Sequence, residues 1–275
     1  MGKALRNEAS SGRRTPAGYH GAMLRNRTPE NPSPALATSL SATLLVSAWI
    51  LTGCAAPSVR ETPQTTLESE ESVKPGINES WKSDEIEPLI GRLETESREI
   101  FIRRELLANV VGPPRGSVIA DVGAGSGFMT RLFADRVGPE GRVFAVDINP
   151  TMLEHVASDA QAAGFDNVET VVCTERSVEL ADSSVDLVFL CDTYHHFEYP
   201  RNSLASIHSA LRPGGQLILI DFHRVPGVTR DWLLDHVRAG EEVFRSEVEA
   251  AGFELIADHE LAELEENYML RFLKR

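Results

Sequence analysis

Asp121, Gly123, Gly125 and Gly127 alternate with Val122, Ala124 and Ser126 directly after an apolar run that begins at Val118. A second acid, Asp147, closes another apolar run (Val143 to Val146) twenty residues after the last of those glycines. Glycine lets a backbone turn tightly and approach a ligand closely. An acid ending the second strand suits the hydroxyls of a ribose, so strand, glycine-rich turn, helix, strand and acid make the nucleotide half of a Rossmann-like sheet. A further cluster follows the apolar run Val185 to Cys191: Asp192, His195 and His196, in the order Asp-Thr-Tyr-His-His-Phe. Histidine titrates near neutrality and suits proton transfer.

The glycine spacing narrows the ligand. A dinucleotide fingerprint places its last glycine three residues after the second, and position 128 is Phe. No Lys-Ser or Lys-Thr follows to cradle a triphosphate. Acid-x-Gly-x-Gly-x-Gly resembles the first motif of class I S-adenosylmethionine (SAM) methyltransferases. The resemblance extends over about residues 80–275, and is to the small-molecule type that methylates ubiquinone and menaquinone precursors. It implies SAM as cofactor. It also implies that Asp121, Gly123, Ala124, Gly125 and Gly127 serve the amino-acid part, Asp147 and Ile148 the ribose and adenine face, and Thr174 and Glu175 the adenine edge. Many relatives carry Gly-Asp where this chain has Cys173-Thr174, so Glu175 is the substitute acid here.

The resemblance places the loop Asp192 to Phe197 at the transferred methyl, and three uses of its side chains stay open. His195, oriented by Asp192 or His196, acts as base or positioning group for the acceptor. Alternatively Asp192, His195, His196 and Asp221 bind a metal, although magnesium prefers oxygen ligands. Or a histidine is structural, capping a helix or bonding a carbonyl. The site is expected to work without a metal, because methyl transfer mainly requires alignment of acceptor, methyl and sulfur. Arg98, Arg103 and Arg104 could contact an acidic acceptor. A SAM-binding or nucleotide-sensing module without turnover, and an NAD-type oxidoreductase, are the competing functions. Phe128 disfavours the second of these.

These residues need a scaffold that alternates strands and helices. Strands are expected at 117–122, 142–147, 168–173, 185–191, 216–220, 253–261 and 268–273, and helices at 94–111, 128–137, 149–163, 203–211 and 241–251. The pattern reads as α/β: a Rossmann-like, doubly wound, seven-stranded sheet with the last strand antiparallel. The nearly unbroken apolar run at 185–191 marks a central parallel strand.

Charge is uneven. The chain carries −14 overall, residues 1–53 carry +4, and the remainder is therefore strongly acidic. An acidic body repels phosphate, so no nucleic acid is expected as partner. The three cysteines form no C-x-x-C pair, and Cys173 and Cys191 end apolar strands as small hydrophobes. Arg25 and Arg27, the apolar run Leu40 to Leu51, and Leu51-Thr52-Gly53-Cys54 read as a signal at 1–53 ending in a bacterial lipobox. Cys54 would then be lipidated, and residues 54–80 would tether the domain (81–275) to the exported side of a membrane. A small-molecule or lipid-like acceptor is the expected substrate. Export would, however, separate such an enzyme from SAM, which is made in the cytoplasm.

Overall fold

The computed structural model describes residues 69–95 and 98–275. In chain order the elements are α1 (Glu87–Leu93), α2 (Glu99–Ile102), α3 (Arg104–Val111), β1 (Val118–Val122), α4 (Phe128–Val137), β2 (Arg142–Asp147), α5 (Pro150–Ala162), β3 (Val168–Val172) and β4 (Val185–Cys191). Then come α6 (Pro200–Ala210), β5 (Leu211–Phe222), α7 (Asp231–His236), α8 (Glu241–Ala250), β6 (Phe253–Asp258) and β7 (Asn267–Lys274). One seven-stranded sheet has the order β3-β2-β1-β4-β5-β7-β6. Strands β1 to β5 pair in parallel, and β7 runs antiparallel to both β5 and β6. The doubly wound sheet and its antiparallel last strand are those expected from the sequence.

Strand β4 shows why the sheet is covered on both faces. Val188 and Leu190 pack with Leu204, Ile207 and Phe244 of α6 and α8. Leu187 and Phe189, pointing the other way, pack with Leu107 and Phe133 of α3 and α4. Alternation in a pleated strand sends neighbours to opposite faces, so a strand buried twice must be apolar throughout. The strand order reverses between β1 and β4, and the loops after these two strands open the crevice in which open α/β sheets bind ligands.

Three local expectations need correction. The helix expected over 94–111 is divided: Arg98 enters α2 in an extended conformation (φ −102°, ψ 113°), and α3 starts only after Arg103. The start of α2 is held elsewhere, because the Glu99 carboxylate accepts from the backbone amides of Glu265, Glu266 and Asn267 at 2.7–2.9 Å. The strand expected at 216–220 is longer and starts at Leu211, and its pairing with β4 slips between Val185 and Leu187. Residues 69–80, read from sequence as the end of a tether, are packed on the domain. Glu70 is buried, and its carboxylate accepts from the amides of Arg201 and Asn202 at 2.9 and 2.8 Å, in the first turn of α6. Glu198 accepts from Ser72 Oγ at 2.8 Å and from the Gly76 amide at 3.0 Å. Carboxylates at orphan helix-start amides are favoured, which explains how so polar a segment is fixed. Among the described residues no helix is long and apolar enough to cross a membrane. The signal, the lipobox and Cys54 lie outside the described residues.

Candidate active site

The glycine loop between β1 and α4 is shaped by backbone that only glycine adopts easily. Gly123 has φ +74°, and a Cβ there would come within 2.3 Å of the Thr193 side chain. Gly127, also at φ +74°, precedes α4, and a Cβ would meet Val156 at 2.9 Å. The first glycine therefore lets the loop after β4 close against the loop after β1, and the last lets α5 pack behind it. Asp147 organises the loop from the next strand. Its Oδ2 accepts from the Gly125 amide at 2.9 Å and its Oδ1 from the Asn149 amide at 3.0 Å. Burial pushes the Asp147 carboxyl up, and the amides of Asn149 and Gly125 oppose that shift.

One pocket, enclosing about 820 Å³ of empty space with part of it open to solvent, joins these parts. Its lining includes Gly123, Gly125, Asp147, Ile148, Thr174 and Glu175, together with Asp192, Thr193, His196 and Phe197. Asp121 and Ala124 line a smaller cavity beneath the loop, and Gly127 lines neither. Asp121 is instead buried against Thr130, whose Oγ1 donates to it at 2.6 Å, and burial pushes its carboxyl up to about 7. Thr174 spends its hydroxyl locally, accepting from the amides of Ser177 and Arg176 at 3.0 and 3.3 Å. Glu175 pairs with Lys82 at 2.6 Å.

The loop after β4 departs most from expectation. Asp192 sits at φ +50°, a backbone region that is strained for residues other than glycine. Its carboxylate is held by Arg98 at 2.6 Å and by the Asn267 amide at 2.5 Å. Burial pushes this carboxyl up, and Arg98 pulls it back. Neither Asp192 nor His196 is the hydrogen-bond partner that orients His195, because the His195 Nδ1 meets Asp221 Oδ1 at 2.8 Å. Asp221 is fully buried and also accepts from the amides of His195 and Phe222. His195 is 2% exposed and is absent from the pocket wall, which His196 lines. Burial, aided by the neighbouring rings of His195 and His236 and by Lys74, lowers His196 to about 2. It is therefore a neutral imidazole and a poor proton acceptor near neutrality.

Four pocket residues come from segments that sequence reasoning left out of the site or treated as marginal. Asn78 and Trp81 belong to the segment read as tether or its border. Trp81 stacks edge-on against His196, and the Asn78 side chain donates to the His196 carbonyl at 3.1 Å. Leu93 and Arg98 come from α1 and the entry to α2. Arg103 is exposed, and Arg104 lies over the Phe101 ring. Nothing in the local spacing of these residues marks them, because the contacts bridge about a hundred positions in sequence. Cys173 and Cys191 line the pocket as thiols: burial pushes Cys173 up to about 12 and Cys191 well above its ordinary value.

Residues 120–219 match the family model described as a methyltransferase domain. The ubiquinone/menaquinone biosynthesis C-methyltransferase of Hydrogenovibrio crunogenus is 32% identical over 111 residues, which cover 40% of this chain and 44% of that protein. The chain thus matches less than half the length of that relative. The enzyme of the same description from Stutzerimonas stutzeri is 26% identical over 181 residues, covering 54% of this chain and 70% of that protein. A SAM-dependent methyltransferase from Aquifex aeolicus has the same fold, with a TM-score of 0.61 at 24% identity, over 68% of this chain and 97% of that one. Residues 120–219 thus match a methyltransferase domain, and the sheet that carries them has the fold of a SAM-dependent methyltransferase.

Proposed function

We propose that this chain binds SAM in the large pocket and transfers its methyl group to a small or lipid-like acceptor at the end lined by Trp81, His196 and Phe197. The observation that carries this reading is the continuity of one pocket from Asp147, past the glycine loop, to His196.

The residues fit the cofactor. Gly123 and Gly125 offer bare backbone, and a side chain at Gly123 would fill the cradle. Asp147 keeps carboxylate lone pairs for the ribose hydroxyls beyond the two amides it already accepts from. Ile148 and Val178 supply apolar wall for a purine. Glu175 is the acid available at the adenine edge, whereas Thr174 is engaged in its own turn. SAM supplies a methyl already activated on a sulfonium, so the protein's task is mainly alignment. His196, fixed by Trp81 and Asn78, forms part of the wall against which the acceptor would lie. The proton released from the acceptor leaves to solvent.

The names of the relatives concern quinone precursors, and a flat hydroxylated ring suits the aromatic end of this pocket. Calorimetric titration tests the cofactor: SAM and S-adenosylhomocysteine bind, and NAD does not. Asp147→Ala weakens SAM by about 1.5–3 kcal/mol, the scale of a hydrogen bond to a charged group. Preference for NAD, or unchanged SAM affinity in that variant, overturns the assignment. We further propose that Cys54 is lipidated and anchors the domain to a membrane. The support is the Leu-Thr-Gly-Cys that ends the apolar run. Intact-mass spectrometry of protein from its native membrane tests it, and a product that still carries the residues before Cys54 refutes it.

A further inference from the structure

We propose that His195, His196 and His236 form a three-imidazole site for a divalent transition ion of the zinc type, at the acceptor end of the pocket. Their ligating atoms all lie within 4.8 Å of one another. Of these atoms, His196 Nε2 and His236 Nε2 are 3.3 Å apart. Two nitrogens bound tetrahedrally to one zinc, each at about 2.0–2.1 Å, stand about 3.3–3.4 Å from each other. The proposal rests on the methyltransferase reading only for what the ion would do, not for the ion's existence.

A further observation supports it. Asp221 engages the Nδ1 of His195 and leaves the Nε2 lone pair of that ring for a metal. A carboxylate behind a ligating imidazole fixes tautomer and orientation in known metal sites. The Lys74 ammonium is turned to the carbonyl oxygens of Asp235 and His236. It ties down the end of α7 and does not itself occupy the gap between the rings.

Three protein ligands leave a coordination position open, which is the pattern of catalytic and not structural zinc. His196 lines the pocket, so an ion held by it would lie beside the pocket wall. The acceptor class that fits is one with an oxygen donor beside the methylated atom: a phenol, an enol or a hydroquinone. Coordination would lower the pKa of that hydroxyl, which a neutral and weakly basic His196 cannot achieve alone. This ligand set differs from the one left open by the sequence, because Asp192 is committed to Arg98 and Asp221 stands behind His195.

The test uses the untagged full chain stripped of metal and titrated with Zn²⁺ and with Co²⁺. One equivalent of Co²⁺ is expected to bind with the intense visible absorption of a four- or five-coordinate nitrogen site, and Zn²⁺ is expected to displace it. His236→Ala and His196→Ala should each weaken Zn²⁺ at least about 100-fold, and Asp221→Asn by about 10–100-fold. His236 is half-buried at the end of α7, so its variant is the one most expected to keep the fold, checked by its thermal melt. SAM titration of the same samples separates the two readings: loss of Zn²⁺ with SAM binding intact supports the site. No stoichiometric binding, or binding that survives His236→Ala, overturns it whether or not SAM binds.

Discussion

Asp121 illustrates how one buried side chain sets a pH dependence. Its carboxyl, pushed up to about 7 by burial from an ordinary value near 3.8, binds its proton more tightly in the folded chain than in the unfolded one. Its contribution therefore favours folding at low pH and is lost as the pH rises from about 4 through about 7. Asp121→Asn keeps an acceptor for Thr130 and removes the titration. Urea unfolding at about pH 5 and about pH 8 should show the variant gaining stability over the wild type with rising pH. The gain is bounded by about 1.4 kcal/mol for each pH unit that separates the folded from the unfolded titration. A difference that does not vary with pH would show that Asp121 is not the group responsible. His195 belongs at this scale too. His195→Ala leaves the Asp221 carboxylate buried with backbone amides alone. A loss of about 1.5–3 kcal/mol is expected, as for a hydrogen bond to a charged group, read as a lower melting temperature. A variant with wild-type stability and lost turnover would instead restore the direct catalytic role expected from sequence.

At the scale of elements, the glycine turn works because three packed pieces converge on it: the loop after β4, the helix α5 and the strand β2. Gly127→Ala places a methyl against Val156 and demands a positive φ of an L-residue. A cost of about 1–3 kcal/mol is expected from the backbone alone, measurable by denaturant unfolding. Cofactor affinity should change less than stability, since Gly127 does not line the pocket. The division between α2 and α3 has a comparable logic. Arg98 leaves the helical line and reaches Asp192, while Glu99 fastens the start of α2 to the amides before β7. A continuous helix could not place both side chains.

Across the whole molecule, residues 69–83 form a strap that holds together parts of the chain far apart in sequence. Glu70 binds the first turn of α6, Asn78 the carbonyl of His196, and Lys82 the Glu175 carboxylate. The Asn149 side chain closes the series, donating to the carbonyls of Trp81 and Ser83 at 2.7 and 2.9 Å while it caps α5. Because Trp81 and Asn78 line the pocket, loosening the strap should weaken ligand binding as well as the fold. Glu70→Ala removes a side-chain acceptor at the start of α6, and about 0.5–2 kcal/mol is expected, as for other lost caps. Thermal melts with and without SAM are the measurement. An unchanged melt would mean that the strap is held by its other contacts.

The strand–loop–helix order, the mostly parallel sheet and the glycine loop beside Asp147 were legible in the sequence, because their determinants are local. Apolar runs set strands, alternating glycines set the turn, and Asp147 stands a fixed distance along the chain from both. The partners of those residues were not legible. Asp121 carries the family spacing yet lies beneath the loop, since the strand's alternation turns it toward Thr130. His195 and His196 are adjacent in sequence, but one faces Asp221 inside the protein and the other the pocket. Their third histidine, His236, arrives on α7, a short helix with no apolar periodicity to announce it. Trp81 and Asn78 come from a stretch whose composition alone reads as a tether. Composition and spacing report what a segment can bury by itself; which side chains meet across the crevice depends on long-range packing, and only the tertiary structure decided that.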